Sequence, residues 1–381
     1  MYLHLETLRK ALRTALLRRP FVLRRWVIVL GFTLLFLVFW CFLAFGRLLD
    51  QLFFAGWRRQ PVEAPVFIVA TPRSGTTFMQ RLLSLDSARF KPLLMYEMIF
   101  SAVTWLKLIQ AAGRIDRAFG RRGHRFAEAI GRRAFGGWDG RHTMRLNLPE
   151  EDEALYIFTL VTEALYLLFP YFQDLPPIGF ADALPLHEAD RVVGFFRESL
   201  QRILFAAGHG RTALTKSTCS LGRIRALRRA FPEARFIHLV RHPAEAIPSL
   251  LNMPTWQVHS PEIGKVSPET RAYARLGASW YRHMLAEAPA IPQDRYILVR
   301  YEDFVADPKA TVECIYARFG FHIDRSFAAR LDAAIAEAKR YRSNTRHTLA
   351  EYGLDETWLQ LELGEVMAAY GYGPRATAPA C

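Results

Sequence analysis

The 381-residue chain is poor in cysteine, with four, and Cys41, Cys219, Cys314 and Cys381 lie far apart, one inside an apolar run and one at the very end. Such spacing makes neither a disulfide framework nor a metal-ligand cluster, and it fits a reducing compartment. No Asn-x-Ser/Thr acceptor occurs, which argues against a glycosylated lumenal or secreted life. Internal repeats and low-complexity tracts are missing as well, so solenoids, propellers and linker-like tails are excluded. Half of the residues (51%) are hydrophobic, enough for one large core or two small ones, and disorder is therefore not expected.

What is present in excess is positive charge, and its position matters more than its size. Of the net +14, residues 1–60 carry +8, from ten Lys/Arg against Glu6 and Asp50. This basicity brackets a hydrophobic segment, as suits a chain lying against anionic lipid headgroups; nucleic acid is not the expected partner. Residues 26–46, WVIVLGFTLLFLVFWCFLAFG, contain no charge. As a helix they would extend roughly 30 Å, the thickness of a bilayer core. A cleaved signal peptide is not expected, because the run is long, carries bulky aromatics and lacks a small-x-small site after it.

Orientation is contested within the sequence. Arg9, Lys10, Arg13, Arg18, Arg19, Arg24 and Arg25 precede the run, so the positive-inside rule keeps the N-terminus cytoplasmic. A single span would then carry everything after it outward, away from any nucleotide supply. Leu5, Leu8, Leu12, Ala15 and Leu16 fall at helical spacing with arginines between them. An interfacial helix followed by a re-entrant or hairpin insertion would leave the chain membrane-associated with its catalytic part cytoplasmic, and this is the expected arrangement.

After Pro61 short β-branched or aromatic runs alternate with helical patterns. Residues 66–70, 212–215, 236–240 and 296–299 read as buried strands, and residues 77–85, 221–230, 244–251 and 311–319 as helices. The expected fold class is α/β: a P-loop-like parallel sheet flanked by helices, with ligands at the carboxyl ends of its strands and a hydrophobic membrane helix ahead of it. The division predicted is 1–60 as an amphipathic and membrane-embedded segment and 61–381 as the catalytic domain. Within the latter, 98–208 reads as a mainly helical insertion forming part of an acceptor pocket. Its aromatics, among them Tyr156, Tyr166, Tyr171 and Phe172, would line that pocket or fill an ordinary core.

Chemistry is concentrated in PVFIVATPRSGTTFMQRLL, residues 65–83, where a strand runs into a turn and then a helix. Backbone N–H groups of such a turn and the positive helix end make a cradle for a phosphate-like anion. Gly75 lets the backbone approach, Ser74, Thr76 and Thr77 add hydroxyls, and Arg73 brings a permanent charge. A nucleotide triphosphatase loop would need G-x-x-x-x-G-K-[ST]. Here Ala70 replaces the first glycine and Thr76 stands in place of the lysine. A second strand-loop-helix unit, ARFIHLVRHPAEAIPSLL at 234–251, sets Arg241 at a strand end and Ser249 about two turns into the helix, where they can grip a further phosphate.

Together these motifs resemble the sulfotransferases that use 3′-phosphoadenosine-5′-phosphosulfate (PAPS), closest to the bacterial and tyrosylprotein branches. In that family a P-R-S-G-T-T loop binds the 5′-phosphosulfate, and an Arg with a Ser eight positions later binds the 3′-phosphate. The likeness extends to Lys216, to RYEDFVADP at 300–308 and to LPEEDEALY at 148–156, covering about residues 61–360. The resemblance implies Arg73 at the bridging oxygen, Glu97 as general base, Tyr301 facing the nucleotide and Lys216 near the donor or acceptor. It implies PAPS as co-substrate and no metal. His142 is the reserve base and a candidate acceptor contact. Toward the C-terminus the resemblance breaks, with TRHTL at 345–349 in place of the family's lid stretch, so no lid residue is carried over. Glu150, Glu151, Asp152 and Glu153 open a helical pattern after Pro149 and are not read as a metal site.

The function expected is sulfuryl transfer from PAPS to a hydroxyl of a lipid or other amphipathic acceptor, by in-line displacement. Its rivals are a P-loop kinase or nucleotide hydrolase, opposed by the missing Walker lysine, and a non-catalytic lipid-binding protein on the same fold. The oligomeric state is not legible.

Overall fold

The structure, a computed structural model, describes residues 1–372 apart from 20, 72, 121–122, 124, 126–127, 130, 132, 134–144, 168, 209, 219, 255, 257–259, 261–262 and 339–346. Five strands form one sheet: β1 (Val66–Ala70), β2 (Phe90–Pro92), β3 (Thr212–Ser217), β4 (Arg235–Val240) and β5 (Tyr296–Arg300). Their order is β2-β3-β1-β4-β5 and every pairing is parallel. All five carboxyl ends therefore lie on one edge, and β1 at the centre has a crossover on each side. That is the switch point at which ligands of open α/β sheets bind.

The central strand β1, VFIVA, is a continuous apolar run buried at every position because both its faces are covered. Val66, Ile68 and Ala70 of β1 pack into one core, and Phe67 and Val69 into the other. Eight helices shape the strand-end edge and the N-terminal segment: α1 (Leu5–Leu17), α2 (Leu23–Phe53), α3 (Thr76–Ser84), α4 (Met95–Ile99), α5 (Val103–Ala118), α6 (Leu186–Ala207), α7 (Pro243–Leu251) and α8 (Tyr301–Ala306). The helix α3 follows β1, α4 follows β2, α7 follows β4 and α8 follows β5. The long apolar α2 contains the whole charge-free run, and its length and composition suffice to cross a membrane.

One expectation changes and one alternative is decided. Among the described residues, 98–208 are largely helical, with α5 and α6 the two long helices, while residues 157–183 run through short 3₁₀ turns. Pro170, Pro176 and Pro177 deny this stretch the N–H donors a continuous helix needs. Of the two readings of its aromatics, pocket or core, the structure takes the second: Tyr156, Phe158, Tyr166, Tyr171 and Phe172 are all buried in one core cluster. The expectation that changes concerns cysteine: Cys314 is disulfide-bonded, and Cys41 is free. The partner of Cys314 lies outside the described residues. Wide spacing in sequence says nothing about distance in space, so cysteine spacing loses its force as an argument for a reducing compartment.

Candidate active site

The loop after β1 is built for close approach. Thr71 and Ser74 are buried, with their hydroxyls 3.1 Å apart, and Gly75 sits in the left-handed region at φ +84°. A Cβ at Gly75 would lie 2.9 Å from Cδ2 of Tyr301, so only glycine lets the α8 tyrosine ring cover the turn. Arg73 is one of three non-glycine residues at positive φ among the described residues, at +68°. The bonding ladder of α3 begins with Phe78 N–H donating to Gly75 O at 3.1 Å. The N–H groups of Thr76 and Thr77, in the first turn, precede that ladder and face the strand ends.

The second motif arrives at the same place. Arg73 Nε donates to Ser249 Oγ at 3.1 Å, and Arg241 Nη1 donates to the Arg73 carbonyl at 3.0 Å. The Arg241 guanidinium lies 4.6 Å from the Tyr301 ring centroid and pairs with Glu245, at 2.5 Å from Nη2. Tyr281 donates to the Arg241 carbonyl at 2.8 Å. Glu302 accepts from His242 N–H at 3.1 Å and from the Tyr372 hydroxyl at 2.7 Å, fixing the start of α7. Burial and the Glu302 carboxylate push the Tyr372 hydroxyl well above its usual range, so it stays a donor. Nothing in the sequence marks Tyr281 or Tyr372. Glu245 falls within the 234–251 motif, four residues after Arg241, and Glu302 within RYEDFVADP.

On the other side of β1, Lys216 is fully buried and donates to Thr77 Oγ1 at 2.8 Å. Glu150 and Glu151 flank its ammonium at 3.4 and 3.5 Å. Asp152 and Glu153 turn elsewhere: Glu153 binds Arg223 at 2.6 Å, and Asp152 is buried with its carboxyl pushed up to about 8 by burial and by neighbouring Glu153. The acidic cluster is thus divided between two cations. Among the described residues no group of three or more His, Cys, Asp or Glu is arranged to hold a metal ion.

Glu97 follows the end of β2 on α4 and is buried. Its Oε2 accepts from Lys91 Nζ at 2.5 Å and from Leu94 N–H at 3.0 Å, so it forms an ion pair and satisfies one N–H at the start of α4. Burial lowers the Lys91 pKa, while the Tyr96 hydroxyl beside it is pushed up to about 12 by burial and the Glu97 carboxylate. Lys91 escapes sequence reasoning because a lysine inside a three-residue strand carries no local signal. Backbone bonds tie this corner to Lys216: Glu150 N–H donates to Leu93 O at 3.1 Å and Asp152 N–H to Lys216 O at 3.0 Å. His142 lies outside the described residues.

The topology thus gathers Glu97, Lys216, Arg73–Thr77, Arg241 with Ser249, and Tyr301 along one edge, each from a different strand end. A parallel sheet carrying a strand-turn-helix cradle and three cations, Arg73, Lys216 and Arg241, has the chemistry that a phosphate-like anion needs. The chain belongs to the sulfotransferase family, whose model matches residues 65–325, and is an enzyme of that class. It is 25% identical over 373 residues to omega-hydroxy-beta-dihydromenaquinone-9 sulfotransferase Stf3 of Mycobacterium tuberculosis (strain CDC 1551 / Oshkosh) and of Mycobacterium bovis. Those alignments span 93% of this chain and 87% of each relative. Its fold is that of sulfotransferase STF9 from Mycobacterium avium, with a TM-score of 0.68 at 20% identity, over 85% of this chain and 81% of that one. Sulfotransferase STF1 from Mycobacterium tuberculosis H37Rv gives a TM-score of 0.68 at 19% identity, over 93% and 90%.

Proposed function

We propose that the enzyme moves a sulfuryl group from PAPS to the hydroxyl of a lipid or other amphipathic alcohol, at a membrane whose cytoplasmic side carries the catalytic domain. The observation that carries the donor assignment is the meeting of two motifs 176 residues apart, Arg73 Nε on Ser249 Oγ. In this reading Arg73, Ser74, Gly75, Thr76 and Thr77 hold the 5′-phosphosulfate, Arg241 and Ser249 the 3′-phosphate, and Tyr301 flanks the nucleotide. The residues suit such a ligand. Glycine is required at 75 by the close ring, the first-turn N–H groups point outward, and Arg241 can exchange the exposed Glu245 for a phosphate.

The donor's S–O bond to its 5′-phosphate breaks as a new S–O bond forms on the acceptor oxygen. Negative charge grows on the departing phosphate, where Arg73 and the cradle N–H groups offset it. Lys216, poised on Thr77, is assigned to the transferring group or the acceptor. The acceptor proton passes to Glu97. With Oε2 committed to Lys91 and Leu94, Oε1 is the oxygen assigned to take it. His142 is the alternative base.

A lipid acceptor is supported by the named substrate class of the 25%-identical relatives and by the apolar α2. Phe42 of α2 lies 6.3 Å, ring to ring, from Phe100, three residues after Glu97. An apolar acceptor leaving the bilayer beside α2 therefore has a short way to the proposed base. We assign residues 1–60 to membrane attachment, 61–381 to catalysis and 98–208 to the acceptor side.

The test is transfer of ³⁵S from labelled PAPS to membrane lipid extract, with the product identified by mass spectrometry. Arg73→Ala should lower kcat about 10²–10³-fold, the usual effect of removing an oxyanion-directed donor. Glu97→Gln should lower it about 10²–10⁴-fold while leaving affinity for adenosine 3′,5′-bisphosphate unchanged, since the glutamine carbonyl can still accept from Leu94 N–H. Normal turnover in Glu97→Gln would move the base elsewhere.

A further inference from the structure

The helix α2 is 31 residues long, about 46 Å at 1.5 Å per residue, and both of its ends are fastened to the same globular body. At its start Arg25 is fully buried and donates to the Tyr171 hydroxyl at 2.9 Å. Just before it, Arg18 pairs with Glu269 at 3.2 Å, and His4 N–H donates to Thr159 O at 2.9 Å. Toward its end Arg47 donates to Ser101 O at 3.3 Å. Asp50 accepts from Val103 N–H at 2.9 Å, Thr104 N–H at 2.8 Å and Arg202 Nε at 3.1 Å.

Between these anchors one narrow stripe faces the body. Arg25, Phe36, Leu43, Arg47 and Asp50 are buried and fall on one side of a helical wheel, with Trp40 packed between them. The ring of Trp105 stacks on Phe42 at 4.2 Å and sits where a Cβ on Gly46 would be. The opposite side is apolar and exposed at Val27, Leu30, Leu34, Val38, Phe45 and Leu52. Three charges of α2, Arg25, Arg47 and Asp50, are thus turned inward. The fourth, Arg24, stands exposed at the helix start, with Arg9, Arg13 and Arg19 exposed nearby.

A spanning orientation is at odds with this docking. The anchors Arg25 and Arg47 are 22 residues apart, about 33 Å along the axis and as far apart as the two faces of a bilayer core. A body touching both would have to cross the bilayer beside the helix. The segment alongside is α5, which carries Lys107, Arg114, Asp116 and Arg117. Such charges are costly in hydrocarbon.

We propose that α2 lies in the plane of the membrane, its Val27–Leu52 face sunk into one leaflet containing anionic phospholipid, with both ends of the helix and the catalytic body on the same side. Hydrophobic area supplies the insertion and the exposed arginines the preference for negative headgroups. The arrangement rests on the membrane attachment proposed above, yet it places the enzyme as a one-leaflet protein that takes its acceptor sideways from the lipid.

The test uses Phe21→Cys and Phe53→Cys, at exposed positions beside either end of α2, in the full chain in sealed membrane vesicles from expressing cells. An impermeant maleimide is applied before and after permeabilisation, and labelling at each site is read by peptide mass spectrometry. The two sites should respond alike in vesicles of either orientation. Labelling of one site with protection of the other in the same vesicles would overturn the proposal and establish a span. Recovery of the chain in the soluble fraction would instead sink membrane attachment itself. As a second arm, Leu34→Asp with Val38→Asp should weaken binding to phosphatidylglycerol-containing vesicles at least about tenfold. If that variant bound vesicles unchanged but dissociated a dimer, the apolar face would belong to a second copy of the chain and the proposal would fall.

Discussion

Gly75→Ala perturbs the proposed donor cradle at the point where sequence, backbone and site meet. Gly75 stands at φ +84°, and an alanine there costs about 1–2 kcal/mol in backbone strain alone. Its methyl carbon would also lie 2.9 Å from Cδ2 and 3.0 Å from Cε2 of Tyr301, closer than carbon atoms pack. The ring must move, and Arg241, 4.6 Å from its centroid, loses its seat. Gly208 supplies the control. It has φ +75° and nothing within 4 Å of the added carbon, so Gly208→Ala carries the strain without the collision. Both variants should unfold at lower urea, with Gly208→Ala about 1–2 kcal/mol less stable than the parent. Calorimetry with adenosine 3′,5′-bisphosphate separates them. Gly75→Ala should raise Kd at least about tenfold, equivalent to about 1.4 kcal/mol, and Gly208→Ala should leave it unchanged. Parental affinity in Gly75→Ala would mean that the Gly75–Tyr301 contact is not part of the nucleotide site.

Buried charges give two more expected outcomes. Asp50 joins α2 to the start of α5 and to Arg202, so Asp50→Ala leaves two N–H donors at the start of α5 without their acceptor and the buried Arg202 with only the half-exposed Glu198, and should cost about 3–5 kcal/mol in urea unfolding. A cost below about 1 kcal/mol would show that α2 is not fastened there. Asp152, pushed up to about 8 mainly by burial, keeps its proton in the folded protein between about pH 4 and 8, where the unfolded chain has released it. Stability from this group therefore falls as pH rises through that window, by up to about 1.4 kcal/mol per unit, and is absent above it. Asp152→Asn should have a higher Tm than the parent at pH 8, with the gain shrinking toward pH 5. An equal difference at both pH values would refute the assignment.

Much of the candidate site was legible because its signals are local. A buried strand, a glycine-bearing turn and a helix start within 19 consecutive residues, 65–83, specify a cradle wherever the chain goes. Arg241 and Ser249, one strand end and two helical turns, are equally local, and parallel pairing of β1 with β4 brings the two together. The partners were not legible. Glu97 could be named from its resemblance, but its ion pair with Lys91 and its capping role depend on how α4 folds back on β2. The aromatics of 156–172 looked alike as pocket or core, since composition cannot say which side of a turn faces solvent.

The sequence by itself determined the strand-turn-helix units, the parallel α/β class and the apolar stretch able to enter a bilayer, since each depends on residues within a few turns of one another. Tertiary structure alone decided what those pieces meet. Arg73 reaches Ser249 across 176 residues, Arg25 reaches Tyr171 across 146, and Asp50 reaches Arg202 across 152. These pairs settle which side of α2 is left exposed and which cations surround the cradle. Such contacts arise from global packing, whose free energy is shared among distant residues and leaves no mark on any short stretch of sequence.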